Sequence, residues 1–260
     1  MYASKYVSKQ PDPQGIIHYS AEENEIWANL YEKQIQIVQR RACDEYMQGL
    51  NILNMPSHRV PQCSDINIAL QKASNFSVKH VDALIPFNEF FALLANRQFP
   101  AAAFLRTRED FEYIKEPDIF HEYFGHCPML TLPDFANFMA AYGNLAKDVS
   151  HKEQVLLARL YWFTVEFGLI QTQKGLRIYG GGILSSPDET IFAVENPQPK
   201  RLPFNAIEAL RTPYRIDIKQ PIYFVINDYQ QLYDLFSQDL LGLVHKAMKL
   251  GDYTLSPIAL

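Results

Sequence analysis

The stretch "EPDIFHEYFGHCPML", Glu116 to Leu130, decides how this chain is read. A histidine followed at once by glutamate, with a second histidine downstream, suggests the zinc-protease helix H-E-x-x-H, in which two ligands one turn apart face one metal and the glutamate is the general base. Here His121 and His126 are five residues apart, which is roughly 140° around an ideal α-helix. From mid-helix the two imidazoles cannot both face one ion. Gly125 directly precedes His126, and a glycine there lets the backbone leave regular helix and swing the second ring toward the first. On this pair alone, a metal site and a pair of hydrogen-bonded core histidines are equally good readings.

Further along, "YWFTVEFGL" places one carboxylate, Glu166, among Trp162, Phe163, Val165, Phe167 and Leu169. An ionised carboxylate in such surroundings costs several kcal/mol unless it is paired or coordinates a cation. No Lys or Arg lies within one turn of it, and the nearest on that segment is Arg159. Two histidines and a carboxylate form the ligand set of a mononuclear non-haem iron(II) oxygenase, with positions left open for oxygen and substrates. Zinc can use the same atoms. Aromatic surroundings and the lack of a positioned general base favour oxygen chemistry.

The remaining composition is that of an ordinary soluble protein: 260 residues, 48% apolar and 20% charged. A net charge of -5 argues against nucleic-acid or anionic-membrane partners and for a small molecule. The start has no secretory core and no stretch approaches a membrane span of about 20 apolar residues, so the expected location is cytoplasmic. Cys43, Cys63 and Cys127 fit a reducing compartment. His18, His58 and His151 stand in polar contexts and read as surface histidines.

Along the chain, residues 1–16 read as a flexible arm. Ser20 and Glu23 predict a capping box, followed by one amphipathic helix over about 21–50. A turn-rich link, a helix after Ser64, the extended "FSVKHVDAL" and a helix from Pro86 through "FNEFFALLANRQF" follow. "EPDIFHEYFGH" reads as a helix ending near Gly125, Asp134 as the cap of the next, and "HKEQVLLARLYWFTVEFGLIQTQ" as one long buried helix. "LRIYGGGILSS" and "PIYFVIN" read as strands, with helices at 188–195, 205–211 and 228–250. The expectation is a single α+β domain, mostly α-helical, with small β-sheets.

"EPDIFHEYFGHCP", "YWFTVEFGL" and "YGGGILSS" resemble the signature blocks of the pterin-dependent aromatic amino acid hydroxylases. The resemblance implies that family's catalytic-domain fold and a phenylalanine 4-hydroxylase of the bacterial type. It would act with O2 as co-substrate, a tetrahydropterin (tetrahydrobiopterin or a related pterin) and Fe(II). It implies His121, His126 and Glu166 as iron ligands. On the substrate side it implies Arg106 as a bidentate clamp on the amino-acid carboxylate, with Arg108 the competing candidate, and Asp118, Ser185, Trp162 and Tyr161 nearby. For the pterin it implies Val81, Ala83 and Ile85 along the ring edge, Phe90 stacked on it and Glu122 at its polar side. The partner expected is L-phenylalanine, and the chain is expected to be a monomer or homodimer. Rivals are the same chemistry on tyrosine or tryptophan, against which Val225 is an apolar clue, a zinc hydrolase with the same ligands, and a silent metal-stabilised scaffold.

Overall fold

Ser20 opens the first helix as its sequence requires. Its hydroxyl accepts from the Glu23 N–H at 3.1 Å, and the Glu23 carboxylate accepts from the Ser20 N–H at 2.7 Å. Helix α1 (Ala21–Val38) buries Ile26, Trp27, Leu30 and Val38 on one face. The expected continuous helix to residue 50 is interrupted. Arg40 adopts φ 65°, and the Cys43 N–H donates to Ile178 O while the Ile178 N–H donates to Arg41 O, both at 2.9 Å. Backbone pairing with a distant strand replaces the helical bonds there, and α2 (Asp44–Leu53) begins afresh.

The computed structural model describes residues 5–112, 114 and 116–254. After α3 (Cys63–Ser74) comes β1 (Ser77–Val81), then α4 (Phe87–Ala95) as the crossover to β2 (Gln98–Ala102), which pairs parallel with β1. The end of the helix expected from Pro86 is therefore a strand. A π-turn (His121–His126) runs directly into α5 (Cys127–Leu130), so the helix does not stop at Gly125. The helices α6 (Pro133–Ala146) and α7 (His151–Tyr161) follow; α6 begins after Leu132, and Asp134 sits inside its first turn rather than capping it.

The expected long helix after His151 ends in a second π-turn (Trp162–Glu166) and gives way to β3 (Leu169–Thr172). Then come β4 (Gly175–Ile178), α8 (Gly181–Leu184), α9 (Pro187–Glu195), β5 (Lys200–Pro203), α10 (Ala206–Arg211), β6 (Ile222–Ile226), α11 (Gln230–Ser237) and α12 (Leu240–Leu250). The last two replace the single helix expected at 228–250, because Asp239 takes φ 55° and caps α12 through Gly242 N–H. One four-stranded sheet has the order β4-β3-β6-β5, with β3/β4 antiparallel and the other pairs parallel. The α+β, mostly helical expectation holds.

The segment expected to be a flexible arm is fastened where it is described. Ser8 Oγ donates to Val81 O at 2.7 Å and accepts from the Ala103 N–H at 2.6 Å, while the Tyr6 ring stacks on Phe104 at 4.6 Å. Residues 1–4 lie outside the described residues.

The histidine turn is buried from Glu122 to His126. Phe120, Tyr123 and Phe124 on its far side are fully buried, Phe120 stacks on Phe124 at 4.9 Å, and Tyr46 from α2 donates to Phe124 O at 2.6 Å. Each such ring contributes about 1.5–3 kcal/mol on burial, so the turn is held by its apolar half while the histidine half is left to the site.

Candidate active site

The five-residue spacing is accommodated by the helix type. In a π-turn the N–H of one residue bonds the carbonyl five positions earlier, so residues five apart lie on one face. The Cys127 N–H reaches Glu122 O in this way. His121 Nε2 and His126 Nε2 stand 3.0 Å apart. Gly125 is not the pivot expected of it, because its φ is not in the left-handed region. It is glycine because a Cβ there would stand 2.5 Å from Gly181 O.

Glu166 arrives from the second π-turn, its Oε2 3.2 Å from His126 Nε2 and 3.6 Å from His121 Nε2. These three side chains form a group of donor atoms able to hold one metal ion. Donors about 2.0–2.1 Å from one ion and at right angles stand about 3 Å apart, so the observed separations suit a shared ion. Arg159 is not a counter-charge for Glu166. It forms a two-bond pair with Asp252 at 2.7 and 3.1 Å and donates to Leu210 O.

Ser185 orients the first histidine. Its hydroxyl donates to Gly182 O at 3.3 Å and its oxygen lies 3.0 Å from His121 Nδ1. With the hydroxyl proton so used, the oxygen accepts from Nδ1–H, which leaves the Nε2 lone pair facing Glu166 and His126. Burial holds His121 down to about 4, with His126 adding to the effect against the pull of Glu166. The imidazole is therefore neutral near pH 7 and free to donate.

Two carboxyls near the histidines are set apart electrostatically. Burial pushes Glu166 up, but the adjoining His126 and His121 outweigh it and hold the group below the ordinary carboxylate range. Glu122, also buried, is pushed well above that range by burial and then by the charges of Glu166 and Asp118. The two carboxyls are thus pushed in opposite directions, Glu166 toward its anionic form facing the donor set and Glu122 toward its protonated form beside it.

Asp118 is fully buried and takes four donors: Arg106 Nε at 2.8 Å, Arg106 Nη2 at 2.9 Å, and the N–H groups of Arg106 and His121 at 3.0 Å each. Burial would raise its carboxyl, but Arg106 and these donors hold it low. Arg106 is thus compensated by a buried carboxylate. Asp118 occupies the Nε/Nη2 edge of the fork, and Nη1 has no hydrogen-bond partner among the described residues. The end-on Nη1/Nη2 edge can still take a carboxylate. Arg108, half-exposed, pairs with Glu22 and Glu25 on α1.

Two cavities meet at His121 and Glu166, which with Pro117 stand in the walls of both. The first, about 190 Å³, is lined by Arg106, Ile114, Trp162 and Ser185, and also by Glu189, Ile216, Ile218 and Gln220. The second, about 150 Å³, is lined by Val81, Ala83, Ile85, Phe90 and Glu122 together. Tyr161, grouped from the sequence with the substrate side, lines this second cavity, its ring 5.3 Å from Phe90. Successive residues of a helix point about 100° apart, so Tyr161 and Trp162 turn to different cavities. Val225 lines neither; it lies on β6 opposite Leu169 and Pro203. Two of the apolar residues that do face the first cavity, Ile216 and Ile218, belong to "RIDIKQ", whose alternation with charged residues carried no signal of a site.

Residues 2–245 match a family described as biopterin-dependent aromatic amino acid hydroxylase. The chain is 51% identical over 251 residues to a phenylalanine-4-hydroxylase of Pseudomonas aeruginosa, covering 96% of this chain and 95% of that one. Among solved structures it is similar to the apo form of a cold-active phenylalanine hydroxylase from Colwellia psychrerythraea 34H, with TM-score 0.93, 49% identity and coverage of 96% and 97%. It is also similar to the phenylalanine hydroxylase of Chromobacterium violaceum with bound oxidised Fe(III), with TM-score 0.89, 40% identity and coverage of 97% and 92%.

Proposed function

The chain belongs to the biopterin-dependent aromatic amino acid hydroxylase family and has its catalytic-domain fold; from that premise we propose that it is a phenylalanine 4-monooxygenase working as one catalytic unit. It converts L-phenylalanine to L-tyrosine with O2 and a tetrahydropterin at one non-haem iron(II). The observation that carries this reading is the meeting of two differently lined cavities at one three-donor group.

His121, His126 and Glu166 would hold the iron, and Ser185 keeps the first imidazole in the donating tautomer. When bound, iron(II) and the reduced pterin supply the open metal positions and electrons that activate O2. The second cavity receives the pterin: Phe90 offers its ring, Val81, Ala83 and Ile85 offer backbone and apolar edges, and Glu122 offers a carboxyl whose protonation burial favours. The first receives the amino acid. The free edge of Arg106 takes its carboxylate, Trp162 faces the aromatic ring, and Ile216 with Ile218 close an apolar wall that suits phenylalanine better than the phenol of tyrosine. Asp118 contributes by position, holding Arg106 and the His121 backbone from one carboxylate. Aromatic side chains around the three donors, Trp162 and Phe167 in the first cavity and Phe90 and Tyr161 in the second, would limit the water that reaches a substrate held there.

The test is turnover of the iron(II)-loaded protein with tetrahydropterin and O2, with phenylalanine, tyrosine and tryptophan in competition. Tyrosine from phenylalanine is expected to dominate. Lack of hydroxylated product from all three, or zinc-dependent hydrolysis in its place, sinks the reading.

A further inference from the structure

Residues 212–220, between α10 and β6, form no helix or strand. They nonetheless build one wall of the first cavity, through Ile216, Ile218 and Gln220. Behind them lies a second, smaller hollow to which Ile218 and Gln220 also contribute, together with Phe163, Thr212 and Tyr214. With a cavity on one face and a hollow of about 20 Å³ on the other, packing alone holds this wall loosely. Hydrogen bonds fix it.

Those bonds converge on Gln220, which is 2% exposed. Its Oε1 accepts from the Trp162 indole N–H at 3.2 Å. Its Nε2 donates to Arg215 O at 2.8 Å and Ile218 O at 3.2 Å. Its backbone N–H donates to the Glu189 carboxylate at 3.0 Å, and the same carboxylate oxygen accepts from the buried Tyr223 hydroxyl. Both amide donors and the amide oxygen are thus in use. One side chain ties the isoleucine segment to Trp162, which also stacks on Tyr214 at 4.3 Å and stands at the start of the turn that ends in Glu166.

We propose that Gln220 is a positioning residue for the aromatic substrate, fixing the separation between the Ile216–Ile218 wall and the Trp162 indole and so the width of the slot that takes the ring. This rests on the phenylalanine reading above. A methionine at 220 keeps the length and bulk but loses all three side-chain bonds. A glutamate keeps the acceptor for Trp162 but sets a carboxylate oxygen against the carbonyls of Arg215 and Ile218.

The experiment compares wild type with Gln220→Met and Gln220→Glu. Calorimetric binding of L-phenylalanine to the iron(II)-loaded proteins is expected to weaken about tenfold, the loss of one or two buried hydrogen bonds. The KM for phenylalanine should rise in parallel. The KM for tetrahydropterin should stay within about twofold, because no residue of 212–220 lines the pterin cavity. Hydrogen exchange should quicken at the amides of residues 214–220 and not across the rest of the fold. Unchanged phenylalanine affinity in a folded variant, equal rises in both KM values, or exchange that quickens throughout the protein would overturn the role of Gln220. Should the methionine variant not fold, the glutamate variant carries the same expectations. Wild type that binds phenylalanine without forming tyrosine defeats the proposed activity, while the binding comparison still decides the role of Gln220; wild type that binds none defeats both.

Discussion

Gly125 and Gly181 meet backbone to backbone: a Cβ at Gly125 would stand 2.5 Å from Gly181 O, and a Cβ at Gly181 would stand 2.4 Å from Nδ1 of His126. The histidine turn is seated on α8 through this pair. The backbone carbonyl cannot retreat like a flexible side chain. Gly125→Ala is therefore expected to destabilise the protein by about 1–3 kcal/mol and to lower iron content even in the fraction that folds. Thermal unfolding and metal analysis check this, and an alanine variant with unaltered melting and full iron would show that the contact has slack.

Arg106 and Asp118 form a buried pair whose members respond differently to substitution. Arg106→Lys keeps the charge but cannot both bond Asp118 twice and present a second edge. The expected result is a rise of about tenfold in the KM for phenylalanine, with a smaller change in kcat. Asp118→Asn leaves Arg106 buried without its counter-charge and is expected to cost about 3–5 kcal/mol of stability, read by denaturant unfolding.

Ser185→Ala removes the acceptor that holds His121 in its donating tautomer. Iron affinity is expected to fall about 10–100-fold, measured by competition with a chelator. Glu166→Gln removes a donor outright and should lose more. If the order is reversed, Glu166 is not the third ligand.

Glu153 gives the clearest pH signature away from the site. Hydrogen bonds from Ser150, then His245, hold it at about 2 against an ordinary value of 4.5. A depressed carboxylate pKa contributes stability that is present above the unfolded value and is lost as pH falls through the folded one. The melting temperature of wild type should exceed that of Glu153→Gln at pH 6, and the gap should close between about pH 4.5 and pH 2. A gap that persists at the acid end would mean the carboxylate's charge is not what stabilises this helix start.

Elements with strong local signals were legible along the chain: the Ser20 capping box and the amphipathic face of α1, the helices after Ser64 and Pro86, and the apolar run of β6. Those that failed did so where distant partners overrode local preference. The helix expected to pass residue 39 yields to a bridge with Ile178, and "LRIYGGGILSS" is a strand only to Ile178 because the glycines that follow carry α8 against the histidine turn. β2 was hidden in a helical pattern because its pairing with β1 is a matter of tertiary position.

The sequence by itself determined the chemistry of the centre. His121, His126 and Glu166 stand out because two histidines in an aromatic stretch and one unpaired carboxylate in an apolar run are hard to explain without a cation, and residue types alone carry that argument. Only the tertiary structure decided how they meet. Two π-turns replace regular helix, bringing residues five and forty positions apart into one donor group, and i-to-i+5 hydrogen bonding leaves no mark in a hydrophobic period. Tertiary structure also decided which cavity each neighbour faces. Tyr161 and Trp162 are adjacent in sequence yet face different cavities, and Gln220, held by bonds to Trp162, Arg215, Ile218 and Glu189, is an ordinary polar residue until the chain closes around it.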